Sequence, residues 1–109
     1  MGFLDSLLEG ISSLASSAEE TMAKKFCDGD PIRNAPRKVE ELIRLIKNSY
    51  NSYYDEHEDE DIHKQRVNQL RVIMNYLKKC AVADTKADDV RKRIISRYGS
   101  DLHKLGINV

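Results

Sequence analysis

The chain has 109 residues, 40% of them hydrophobic and 33% charged, with 18 basic and 18 acidic side chains that leave no net charge. That is room for one domain around one core, and recurring apolar residues at balanced charge exclude a disordered composition. A domain of this size is stable by only about 5–15 kcal/mol, a poor foundation for a large strained active site.

Apolar residues at three- and four-residue steps are the main signal along the chain. Residues 1–27 carry such a stripe in Phe3, Leu4, Leu7, Leu8, Ile11 and Leu14, continued by Ala15, Ala18 and Met22, which predicts an amphipathic N-terminal helix. Cys27-Asp28-Gly29-Asp30-Pro31 ends it, because Gly29 can take a left-handed cap and Pro31 cannot continue a helix. Residues 28–35 then form a connector, and 36–109 the helical core.

Pro36 suits the first turn of a second helix that carries Val39, Leu42, Ile43, Ile46, Tyr50 and Tyr53 on one face and reaches about Tyr54. Val67, Leu70, Ile73, Met74, Leu77 and Ala81 predict a third. Thr85 with Asp88 resembles a capping box for a fourth, which presents Val90, Ile94 and Tyr98 before Gly99 stops it. Ser100 caps one last turn carrying Leu102 and Leu105, closed by Gly106. No stretch has the sustained alternation of a strand, and short connections favour antiparallel neighbours. The expected fold is all-α: a single small antiparallel bundle of four main helices plus a short C-terminal turn of helix.

Chemistry finds little support. Cys27 and Cys80 are too few and too far apart for a disulfide framework, and no Cys/His spacing suggests zinc. Asp5 and Glu9 interrupt the residues a secretory signal would need, and no run approaches the ~20 apolar residues of a membrane span, so a soluble chain in the reducing cytoplasm is expected. There is no nucleophile elbow, Gly-rich phosphate loop, His-Glu-x-x-His or dinucleotide fingerprint. Neither an enzyme nor a cofactor is expected.

The densest feature is YYDEHEDEDIH, Tyr53 to His63, with six carboxylates between two tyrosines and a terminal histidine. His57 and His63 stand six apart, not the four that puts two imidazoles on one helical face, and the acids lack the calcium-loop frame, so no metal is assigned. Acids at the start of the third helix suit its dipole. Clustered carboxylates that repel one another also attract a basic partner, with tyrosine as anchor. Tyr53, Tyr54, Asp55, Glu56, Glu58, Asp59 and Glu60 are therefore the candidate partner-binding residues.

Charge is polarised along the chain: 14 acids and 7 bases from Met1 to Ile62, 4 acids and 11 bases from His63 to Val109. Arg91, Lys92, Arg93 and Arg97 form a candidate basic surface for phosphates, but the neutral total, a pI near 6.8, and Asp88 and Asp89 in the same helix argue against nucleic acid as the main partner. The N-terminal stripe faces serines rather than Lys or Arg, which favours packing on protein, its own core or a second copy in an oligomer, over a membrane surface. MGFLDS also fits the permissive N-myristoylation pattern. The reading is a small non-enzymatic regulatory module that binds protein, as inhibitor, immunity-type partner or adaptor. The alternatives are a peripheral membrane protein held by the N-terminal helix and a weak nucleic-acid binder through the basic C-terminal helix.

Overall fold

The corner between the first two helices shows how local chemistry sets the fold. In the computed structural model, which describes residues 18–51, 56–57 and 60–109, helix α1 covers 18–26 and the chain then turns through Cys27, Asp28 and Gly29. Asp28 (φ 53°) and Gly29 (φ 91°) both take the left-handed conformation, and the Gly29 amide donates to the Lys24 carbonyl at 2.7 Å, closing the end of α1. Asp30 follows as the N-cap of α2, accepting from the Arg33 amide at 3.2 Å, and Pro31 takes the first helical position, where its missing N–H costs nothing.

Helix α2 thus runs Pro31–Asn48, starting five residues before the expected Pro36 and taking the last five residues of the expected connector 28–35. Pro36 sits inside it. The helix also ends earlier than Tyr54, because the Ser49 hydroxyl donates to the Ile46 carbonyl at 2.9 Å and the chain leaves as a strand. Strands β1 (Tyr50–Asn51) and β2 (Glu56–His57) pair antiparallel, Tyr50 opposite His57 and Asn51 opposite Glu56, a short ladder that no alternation announced.

Helices α3 (Glu60–Cys80) and α4 (Thr85–Lys104) complete an all-α bundle, four helices among the described residues. The cap of α4 is Asp84, whose carboxylate accepts from the amides of Lys86 (2.8 Å) and Ala87 (3.4 Å), not Thr85. Nor does Gly99 stop the helix: the expected separate last turn is its continuation to Lys104. The stop is Gly106 (φ 80°), where the Ile107 amide donates to the Leu102 carbonyl at 3.0 Å and the Gly106 amide to His103 at 3.0 Å.

Contacts near the helix ends give the directions. Arg66 of α3 donates to the Leu45 carbonyl late in α2, so these two are antiparallel, while Lys47 of α2 pairs with Asp101 of α4 at 3.2 Å, so α2 and α4 run parallel. Lys79, late in α3, pairs with Glu19 of α1. Val39, Leu42, Ile43 and Ile46 of α2, Leu70, Ile73, Met74 and Leu77 of α3, and Ile94 and Leu102 of α4 form the core, joined by Cys27 and Ile107. Among the described residues no polar or charged side chain is buried.

Asp84→Ala is expected to lower unfolding free energy by about 1 kcal/mol in urea titrations, while Thr85→Ala leaves it within ~0.5 kcal/mol. Equal losses would return the cap to Thr85. Ile73→Ala, at a site with no exposed surface, is expected to cost about 2–5 kcal/mol in the same titration.

Candidate functional site

With an apolar interior, the charged and polar groups that could do chemistry lie on the surface. Two charged surfaces follow from the helix ends. The first is the connection between α2 and α3. Glu56 belongs to β2, and Glu60 is the exposed first residue of α3, followed by Asp61 in the same first turn. Tyr53, Tyr54, Asp55, Glu58 and Asp59 lie outside the described residues, as does the whole N-terminal stripe Phe3, Leu4, Leu7, Leu8, Ile11 and Leu14.

The second is built on α4, and it divides the expected basic surface. Arg91 turns toward the tail, its Nη2 donating to the Val109 backbone oxygen at 2.6 Å. Lys92 pairs with Asp88 one helical turn away at 2.9 Å, and that hydrogen bond and charge raise the pKa of its ammonium. Arg93 and Arg97 instead line an open cleft of about 180 Å³ against Pro36, Arg37 and Glu40 of α2, with the Arg97 guanidinium 5.7 Å from the centroid of the Tyr98 ring.

The α2 side of that cleft was missed by reading α4 alone. Arg93 also borders a cleft of about 380 Å³ with Arg33 and Lys86, and Glu40 and Tyr98 continue into one of about 300 Å³ with Arg44 and Lys47. The signal was present in the spacing: Arg33, Arg37 and Arg44 recur at steps of four and seven on one side of α2. A further cleft, at the start of α3, places His63 with Lys64, Arg71 and Lys104.

Cys27 has no role on either surface. It is 1% exposed, its carbonyl accepts from Asn34 Nδ2 at 2.8 Å, and burial above all pushes its thiol up to about 11. A thiol held protonated is a weak nucleophile. Among the described residues no group of three or more His, Cys, Asp or Glu is arranged to hold a metal ion, and no helix is long and apolar enough to cross a membrane.

Neither protein-family models, curated proteins nor solved structures provide a match to this chain. Its function has to be argued from these surfaces.

Because the folded pKa of Cys27 lies above that of the exposed thiol, the unfolded chain ionises first, and the stability tied to this group falls as pH rises from about 9 toward 11. Cys27→Ala removes that titration. The stability gap between wild type and Cys27→Ala is expected to narrow over this window in thermal melts; a gap independent of pH would show the thiol to be unperturbed.

Proposed function

We propose that the protein is a small non-enzymatic intracellular module that binds another protein, as inhibitor, immunity-type partner or adaptor, through the acidic connection between α2 and α3. The observation that carries this reading is the charge of that connection, six carboxylates in the seven residues from Asp55 to Asp61. Had all six carboxylates formed the first turn of α3, favourable interaction with its dipole, about 0.3–1 kcal/mol each, would account for them. Among the described residues, Glu60 and Asp61 stand in that turn, and Glu56 stands in a strand paired with Asn51. Glu56 thus adds its charge outside that turn, and Asp55, Glu58 and Asp59 are its neighbours in sequence.

Such carboxylates repel one another until a cationic surface neutralises them, which favours a basic partner and speeds its encounter. Tyr53 and Tyr54 are suited to anchor the contact, since tyrosine supplies a rigid apolar body with a polar tip. The apolar core supports the same reading by leaving ionisable groups to the surface.

The test is affinity capture with the purified chain, repeated with Asp55→Lys, Glu56→Lys, Asp59→Lys and Glu60→Lys combined. A captured basic protein is expected to lose at least about tenfold in affinity with the reversed chain, because rim charges govern association. A partner held equally well by both chains would overturn the assignment of the acidic connection.

A further inference from the structure

The α2–α4 groove carries a surplus of positive charge that the neutral composition conceals. Its successive clefts are lined by eight cations and four acids. Two of the eight are already paired, Arg37 with Asp28 at 3.0 Å and Lys47 with Asp101 at 3.2 Å. The other six, Arg33 and Arg44 from α2 and Lys86, Arg93, Arg97 and Lys104 from α4, form no ion pair among the described residues. Asp30, Glu40 and Asp89 are the acids left facing them.

The arrangement is periodic. Lys86, Arg93, Arg97 and Lys104 follow steps of seven, four and seven, which at 3.6 residues per turn puts all four within about 40° of one line along α4. At 1.5 Å per residue that line is about 27 Å long. Arg33 and Arg44 stand on the parallel helix across the groove, so the cations form two facing rows.

We propose that this groove binds the phosphate backbone of double-stranded nucleic acid, without reading its sequence. Three observations select that occupant. The large hydrophobic side chains exposed among the described residues are Met22, Ile62 and Val82, and none lines the groove, so an apolar partner helix would find little to bury there. Attraction must come from charge, and about 27 Å of duplex presents roughly 16 phosphates, about twice what an extended acidic chain offers at ~3.3 Å per residue. Tyr98, the groove's aromatic, is half-buried with Arg97 at its ring, so no free platform exists for stacking the bases of a single strand. Arginine supplies four of the six unpaired cations, and its planar fork matches phosphate oxygens in pairs.

This site is separate from the acidic connection and stands or falls without it. Expectation against nucleic acid rested on the total charge, the pI and the acids Asp88 and Asp89; the fold pairs Asp88 with Lys92, leaves Asp89 in the groove, and gathers bases from two helices onto one face.

The experiment is fluorescence anisotropy of the full chain with a labelled 20-base-pair duplex, the single strand of the same length, and polyglutamate as competitor. Micromolar binding to the duplex at 50 mM salt is expected, with log affinity falling against log salt at a slope of about −5 for six contacts. Arg93→Gln with Arg97→Gln is expected to weaken binding at least tenfold and flatten the slope by about 2, whereas Lys78→Gln with Lys92→Gln, off the groove, changes it less than twofold. All four residues are exposed, and circular dichroism checks that each variant remains helical. An Arg33→Gln and Arg44→Gln pair that also weakens binding tenfold supports participation of both rows. No duplex binding at 50 mM salt, equal loss in the off-groove control, tighter binding to the single strand, or displacement by polyglutamate at matched charge would each overturn the proposal.

Discussion

Helix α3 packs against both α2 and α4, and the rest of the bundle is arranged around that burial. Leu70, Ile73, Met74 and Leu77 occupy one face of it in steps of three, one and three, each almost or completely removed from water. At roughly 1.5–3 kcal/mol per large apolar side chain, these four account for a substantial part of the driving force of a small domain. They share one core with Val39, Leu42, Ile43 and Ile46 of α2 and with Ile94 and Leu102 of α4. Because α3 separates the two chain reversals, α2 and α4 emerge parallel and in contact, which brings bases distant in sequence to either side of one groove.

The helices and the core were legible because the apolar period is a long-range average over many residues: Val39 to Ile46 and Leu70 to Leu77 announced their faces from spacing alone. The ends were harder, since each is decided by one or two hydrogen bonds. Asp30 before Pro31 and Asp84 before Thr85 are good caps by composition, but Pro36 and Thr85 offered rival starts, and only the geometry of the Asp carboxylates chooses between them. Gly99 was overruled by packing. It costs the helix about 1 kcal/mol, less than carrying the completely buried Leu102 into the core returns, and its backbone never adopts positive φ.

Surfaces were the least legible part. The basic residues around Arg91 read as one patch when only α4 was considered, yet Arg91 reaches the tail, Lys92 is held by Asp88, and Arg93 and Arg97 look toward α2. Helical periodicity assigns residues to a side of their own helix. Which sides of two helices share a groove depends on tertiary packing, and that was not available from α4 alone.

A molecule with no net charge is ordinarily thought indifferent to charged matrices near neutral pH. Two facing files of cations on one flank concentrate positive charge there and make that flank the one drawn to a negatively charged matrix. A sulfonated chromatography resin at low ionic strength would meet the protein flank first and retain it, although a titration curve alone suggests it should wash through.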